Sequence, residues 1–170
     1  MNKGITPHAN FLETLFAYQG KVSQVFKDVL GLCEINHIAV SHINSNQKLL
    51  AFSSTPSLEF NLFHSNLWRF DKTYQTSWYG LCALSPWQSL YTPKHFDALY
   101  YLKQIKHQYP LGLSFAVKLS NSHLVYSIAS HKDCLPTRER FTNHQEDFYK
   151  IGTYCSNSLL PLFEECHSDD

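Results

Sequence analysis

The chain lacks several features that would assign it to a function class at once. Its 170 residues contain 14 Lys plus Arg and 14 Asp plus Glu, so it has no excess of either charge. A balanced chain offers no positive field to a polyanion, which argues against binding of DNA or RNA by this segment. Eighteen apolar residues never occur in a row, and the start has no apolar run of signal-peptide length. The sequence therefore predicts no association with membranes.

Cysteine is sparse and never forms a C-x-x-C pair. An odd number of scattered thiols is typical of a reducing compartment, and we therefore expect a cytoplasmic protein with free thiols. We also expect no cofactor and no metal, because no cluster has the spacing of a ligand set. The cysteines are Cys33, Cys82, Cys134, Cys155 and Cys166.

Convincing catalytic motifs are also missing. The segment 112–116 partly matches the nucleophile elbow of hydrolases, but that motif needs a strand before its serine, here Ser114, and a helix after it. The apolar pattern predicts the reverse order. His131, Asp133 and Cys134 could contribute to a metal or thiol site, yet no second cluster completes one. We expect a surface loop there and no enzyme.

What the chain does contain is apolar and aromatic material. Hydrophobic residues make up 44% and aromatic residues 15% of the sequence, while charged residues make up 16%. This balance suits a folded chain, and 170 residues match the usual size of one domain. We predict a single domain over 1–170 with an ordered core of about residues 10–163.

Apolar spacing predicts four helical regions. The first covers 11–30, with Asn10 and Glu13 placed as a capping box. A short helix follows Pro56, and another begins at Pro93 and ends at Pro110. The last begins with a capping box at 142–145 and is kinked or ended by Pro161, while 131–140 is predicted to be a loop.

Alternating residues predict two hairpins, at 35–43 with 48–53 and at 111–119 with 123–130. Their short connections imply antiparallel pairing. The element order predicts an α/β (α+β) fold, in which an antiparallel sheet of about five strands carries helices on both faces. This α-β-α sandwich is similar to the PAS-like and GAF-like sensory folds.

The segment from Lys103 to Val117, followed by Tyr126 to Ser130, resembles the autoinducer-binding domain of LuxR-type transcriptional regulators. In that family a helix ends in a glycine-containing turn, here at Gly112, and a strand of the form G-x-S-x-x-V follows. The paired strand has serine and alanine two residues apart, and the upstream pair 86–87, Pro-Trp, also fits. The resemblance covers the element order from about residue 10 to 163.

The resemblance implies a pocket between the sheet and a helical layer that holds a small hydrophobic or acyl-lactone-like ligand. In the family an aspartate and a tryptophan hydrogen-bond the polar head, and Asp71 and Trp87 match them in spacing. Composition alone adds four aromatic candidates, and Ser127 is placed in the strand that faces the pocket. The predicted ligand-binding residues are therefore Trp68, Asp71, Tyr74, Trp78, Tyr79, Trp87 and Ser127.

Other interpretations of the same residues remain open. An aromatic cluster often simply builds a core, and a lone aspartate is more often solvated or a helix cap. LuxR-type regulators end in a helix-turn-helix, and too few residues follow Arg140 to form one, so we expect none here. Two alternatives therefore remain. The chain is either a sensory segment, for which we keep a homodimer as one possible assembly, or a protein-interaction module or bacterial effector without a ligand. For an effector, the acidic pairs 164–165 and 169–170 would provide a secretion address.

Overall fold

The computed structural model describes residues 4–168 and shows a six-stranded sheet between two helical layers. The strands are β1 (Thr6–Pro7), β2 (His37–Ile43), β3 (Lys48–Ser53), β4 (Leu84–Pro86), β5 (Leu111–Lys118) and β6 (His123–Ser130). Their order across the sheet is β1-β3-β2-β6-β5-β4, and every neighbouring pair is antiparallel except β1 with β3. The predicted α-β-α sandwich is confirmed, with six strands instead of about five.

The α-helices of the described residues are α1 (Phe11–Leu15), α2 (Gln19–Lys27), α3 (Pro56–His64), α4 (Thr76–Tyr79), α5 (Trp87–Leu90), α6 (Phe96–Tyr100), α7 (Leu135–Asn143) and α8 (Gln145–His167). A π-helix continues α6 over Tyr101–Lys106. Short 3-10 helices cover Leu32–Glu34, Leu67–Phe70, Lys72–Tyr74 and Pro93–His95. None of the helices in 4–168 combines the length and the apolar character that a membrane crossing requires.

One face of the sheet carries large side chains. Phe52, Phe115 and Tyr126 are almost completely buried on this face, because successive strand residues point to opposite sides and these share one side. They pack against α2, α7 and α8, whose Phe148 and Phe163 are also fully buried. This face therefore forms a conventional apolar core.

The opposite face, which we call the small-residue face, carries glycine, alanine or serine at most of its central positions, together with the larger Ile43, Leu49 and Val125. Strand register places Ser53, Ala39, Ser127, Ser114 and Ser85 in one row across five neighbouring strands. Such short side chains leave a shallow floor, and other elements must fill the volume above it. The further small residues on this face are Ser41, Ala51, Gly112, Ala116 and Ala129.

The predicted helix over 11–30 is wrong as a single element. It is interrupted at Tyr18, which adopts a left-handed backbone with φ of 56°. The Tyr18 and Phe52 rings lie nearly perpendicular, with their centres 6.4 Å apart, and Tyr18 remains 41% exposed. The break sends α1 to the small-residue face and α2 to the opposite one.

The region before the last helix also differs from its prediction. Residues Leu135–Asn143 form α7 instead of part of a loop, because Pro136 lies in the first turn, where its missing N–H costs nothing. The Thr142 hydroxyl donates to the Arg138 carbonyl within α7 and does not cap the last helix. α8 continues past Pro161 to His167, since apolar residues on both sides of the proline pack on the sheet. The pair 169–170 lies outside the described residues.

Gly112 permits close contact between the two layers. A Cβ at this position would lie 2.2 Å from the Trp87 ring, whereas a Cβ at Gly20 in α2 would meet nothing within 4 Å. We expect Gly112→Ala to lower the free energy of unfolding by about 1–3 kcal/mol through overpacking. Gly20→Ala is the control and should raise it by about 0.5–1 kcal/mol. Urea unfolding measures both, and equal effects would contradict this packing.

His42 makes stability depend on pH. Its ring stacks on Phe163 at 5.4 Å, and burial, followed by the nearby His167, lowers the pKa of His42 from 6.5 to about 4. The unfolded chain therefore binds a proton near pH 6.5 that the folded chain resists until about pH 4. The contribution of the neutral His42 ring to the free energy of unfolding is therefore complete above about pH 6.5, and it is lost as the pH falls from there to about 4.

We expect His42→Phe to flatten the decrease in urea midpoint between pH 7 and 4.5, because the substituted side chain cannot be protonated. His144→Gln is the control, since the His144 side chain is 58% exposed. A slope that is unchanged in His42→Phe would contradict the assignment.

Candidate functional site

Apart from β4, which belongs to the sheet, the segment from Leu67 to Lys106 folds over the small-residue face, and we call it the aromatic layer. The ring of Trp87 lies directly on Gly112, and the indole N–H of Trp78 donates to Ser85 Oγ at 3.0 Å. The backbones of Asp71 and Tyr91 form an isolated antiparallel bridge that joins two parts of the layer. Aromatic rings therefore occupy the volume that the short strand residues leave empty.

The structure brings all seven predicted ligand-binding residues to this region and buries each of them. Five of the seven belong to the apolar cluster that contains α1 and α3, and Asp71 and Ser127 are buried polar members of the same layer and floor. Their role in holding a ligand stays a prediction. They are Trp68, Asp71, Tyr74, Trp78, Tyr79, Trp87 and Ser127.

Asp71 is fully buried and already has partners. Its Oδ2 accepts a hydrogen bond from Lys103 Nζ at 3.1 Å, and its Oδ1 accepts the backbone N–H of Thr73 at 3.0 Å. Lys103 is itself only 2% exposed. A buried ion pair is tolerated only where such additional hydrogen bonds satisfy its atoms. The carboxylate thus connects the start of the aromatic layer with its end.

Lys103 is the site residue that the sequence prediction missed. It lies in the π-helix, a wide turn that is rare and frequently found at functional sites. Its ammonium is 4.0 Å from the centre of the Trp87 ring and 5.5 Å from that of Tyr91, within range of cation–π attraction. The available signal was its position four residues after the buried Leu99, on the same helical face.

A chain of hydroxyl groups links the aromatic layer to the sheet. Ser114 and Ser127 Oγ are 2.9 Å apart on neighbouring strands, and Thr73 Oγ1 reaches Ser114 Oγ at 3.5 Å. In contrast, the indole N–H of Trp87 is buried and has no hydrogen-bond acceptor within residues 4–168. A buried donor without an acceptor is uncommon in a folded protein and costs free energy.

A second buried pair borders the site. His37 Nε2 is 3.3 Å from Glu59 Oε1, and both side chains are almost inaccessible. Burial, followed by the carboxylates of Asp71 and Glu59, raises the pKa of Tyr74 well above its ordinary value. Burial and then Asp71 also raise the pKa of Tyr91. Both phenols therefore remain protonated hydrogen-bond donors at neutral pH.

Surface clefts lie beside the site. Trp68 lines a cleft of about 400 Å³ together with Phe11 and Phe63, and a second cleft of similar volume is bounded by Phe26 and Pro56. No three His, Cys, Asp or Glu side chains of the described residues converge as metal ligands would. In the segment that resembled a metal motif, Cys134 instead contacts Thr137 at the start of α7.

Comparison with known proteins shows which solved structures share this fold. No protein-family model and no curated protein sequence matches the chain. Solved structures do match: SdiA from Escherichia coli has a TM-score of 0.55 at 10% identity, with 85% of this chain and 63% of that chain covered. SdiA in complex with octanoyl-rac-glycerol gives 0.58 at 8% identity, covering 89% and 62%. The VqsR ligand-binding domain from Pseudomonas aeruginosa gives 0.54 at 14% identity, covering 89% and 99%.

The chain has the fold of a LuxR-type autoinducer-binding domain, and the resemblance seen in the sequence is confirmed at that level. It spans less than two thirds of the SdiA chains but nearly the whole VqsR ligand-binding domain. At identities of 8–14% the likeness concerns the fold, and any function must be argued from the residues of this chain.

The Lys103–Asp71 pair leads to a stability prediction. Lys103→Met should lower the free energy of unfolding by about 3–5 kcal/mol, because it leaves a buried carboxylate without its counter-charge. Removing both charges in Asp71→Asn with Lys103→Met should recover most of that loss. The control is Arg138→Met at the exposed ion pair with Asp133, where the loss should be much smaller. A loss in the double variant equal to the sum of its single changes would contradict the coupling.

Proposed function

We propose that the chain is a small-molecule-sensing domain that binds a hydrophobic or amphipathic signal between the small-residue face and the aromatic layer. The observation that supports this most is the indole N–H of Trp87, which is buried above the sheet with no acceptor in the described part of the chain. A ligand carbonyl would provide the missing partner. The apolar walls around a few polar groups are typical of sites for small ligands.

The construction of the aromatic layer supports the proposal. Between Leu67 and His95, the aromatic layer consists of helices of only three or four residues, joined by irregular segments and by β4. Such elements have few backbone hydrogen bonds of their own and open at lower free energy than long helices or central strands. Side chains, rather than the backbone of the sheet, fill the space above the floor. An acyl chain would therefore enter by displacing rings, and the floor would remain intact.

The mechanism is binding, with no bond made or broken. A ligand that fits only the ordered form of the aromatic layer increases the population of that form and stabilises the domain. As part of a cytoplasmic LuxR-type regulator, the domain would pass this stabilisation to a homodimer or an attached transcription-regulating segment. The likeness to SdiA in complex with octanoyl-rac-glycerol supports a medium-chain acyl compound as the first probe.

A second candidate is a protein-interaction module or bacterial effector of this fold without a ligand. The observation that favours it is the Lys103 ammonium, which binds Asp71 and lies against Trp87, where a ligand head would otherwise be expected. In that case the Lys103 side chain itself occupies the place of the ligand head beside Asp71 and Trp87. Function would then depend on exposed apolar side chains such as Leu32, Leu81 and Leu135.

The test is the melting temperature of the purified chain with 1-octanoylglycerol and with N-octanoyl homoserine lactone. A ligand at 100 times its dissociation constant adds about 2.7 kcal/mol, so a rise of about 5 °C or more is expected. Trp87→Phe should reduce that rise because the indole donor is lost. Tyr126→Phe on the opposite face is the control and should keep it. No rise with any acyl probe would support the second candidate.

A further inference from the structure

We propose that a cleft at the outer edge of the sheet binds a small amphipathic carboxylate. The cleft lies between α2 and the start of α3, and we call it the edge cleft. Hydroxyl groups at the end of β3 and the ammonium of Lys27 hold the anionic head, and apolar residues of α1 and α2 hold the body. The site is separate from the aromatic layer and therefore goes beyond the proposed function.

The edge cleft lies where the chain crosses from one face of the sheet to the other. Its walls include Leu15, which belongs to the apolar cluster over the small-residue face, and Phe26, which belongs to the opposite cluster. β1 pairs with β3 only at Lys48 and Leu49, so no strand of residues 4–168 pairs with the outer edge of β3 at Ser53. The cleft has a volume of about 400 Å³, which falls in the range of small-ligand sites.

Apolar side chains form the walls of the edge cleft. Val22 and Phe26 are buried, and Leu30, which follows them at the same spacing of four residues, keeps 38% of its surface exposed. Phe16, next to the cleft residue Leu15, is 45% exposed. Exposed apolar surface beside a cleft is typical of a binding site, because a ligand that covers it removes that surface from water.

Two serine hydroxyls at the end of β3 provide hydrogen-bond donors. Ser53 Oγ accepts the backbone N–H of Thr55 at 3.0 Å, and Ser54 Oγ accepts that of Ile38 at 2.9 Å. Each hydroxyl retains its own proton, and neither donates it to another group in the described part of the chain. Both serines line the edge cleft, and Ser53 is buried. A ligand acceptor would therefore use two donors that the fold leaves unused.

The charge of the edge cleft is positive. Among residues 4–168, Lys27 is the one charged residue that lines it, and this exposed side chain forms no ion pair there. The neighbouring carboxylate of Asp28 instead accepts a hydrogen bond from the Tyr154 hydroxyl at 2.6 Å. Pro56, which also lines the cleft, is the first residue of α3, and a helix N-terminus carries partial positive charge. An anionic head is therefore favoured over a neutral one.

These features together select a carboxylate on an apolar body. Carboxylate oxygens only accept hydrogen bonds, so they match a set of donors, and hydrogen bonds to a charged acceptor are stronger than neutral ones. The apolar walls add contacts that a bare inorganic anion would not make. A short aryl or alkyl carboxylate is therefore the ligand class.

The test compares two probes that differ in charge. Titration of the isotope-labelled full chain with 4-phenylbutyrate and with 4-phenylbutyramide, followed by NMR at neutral pH and low salt, measures affinity and position together. We expect the carboxylate to bind at least about fivefold more tightly, because its hydrogen bonds are charge-assisted. The backbone N–H signals of 22–30 and 53–54 should shift most.

Variants assign the preference to its residues. Lys27→Met should reduce the preference for the carboxylate by about threefold, in line with the modest worth of an exposed charge. Lys21→Met is the matched control and should keep the full preference, since Lys21 is exposed on the same helix but does not line the cleft. Leu30→Gln should weaken both probes alike, because it removes apolar wall at an exposed position.

Each contrary result overturns a stated part of the proposal. Equal affinity for the two probes would overturn the carboxylate head, and inorganic phosphate that displaces 4-phenylbutyrate at equal concentration would overturn the apolar body. Shifts confined to the aromatic layer would overturn the location. An undiminished preference in Lys27→Met would overturn the role of Lys27. None of these results depends on 1-octanoylglycerol, so the proposed function is tested separately.

Discussion

The buried ion pair between Lys103 and Asp71 is the constraint around which the rest of the site is arranged. It joins the two ends of the aromatic layer, and its charge must be balanced where water cannot reach. The small-residue face makes room for this layer, and Trp87 contacts both Gly112 below it and the ammonium beside it. Thus the short side chains of the sheet under Trp87 and the ion pair beside Trp87 depend on each other.

Much of the fold could be predicted from local patterns, and the exceptions share a physical cause. The hairpins of β2 with β3 and β5 with β6 were readable because alternation and short turns are local signals. The break at Tyr18 was not, since a left-handed backbone at tyrosine is rare and the spacing of apolar residues does not reveal it. α7 was predicted to be part of a loop, although Pro136 suits the first turn of a helix.

In the candidate site, too, some residues could be predicted from the sequence and others could not. Asp71 and Trp87 were found through a family resemblance, and the structure places both in the buried layer. Lys103 was not found, because lysine is rarely buried and its partner is thirty-two residues away in sequence. It is also the residue that favours the second functional candidate, since its ammonium lies against Trp87, where a ligand head would otherwise be expected.

The most direct measurement follows the indole N–H signals of the three tryptophans by NMR while an acyl ester is added. The Trp87 signal, assigned with Trp87→Phe, should move downfield as its N–H gains an acceptor. The Trp78 signal, whose N–H is already bonded to Ser85, should stay within a small shift. A Trp87 signal that remains unmoved at ligand saturation would contradict the account.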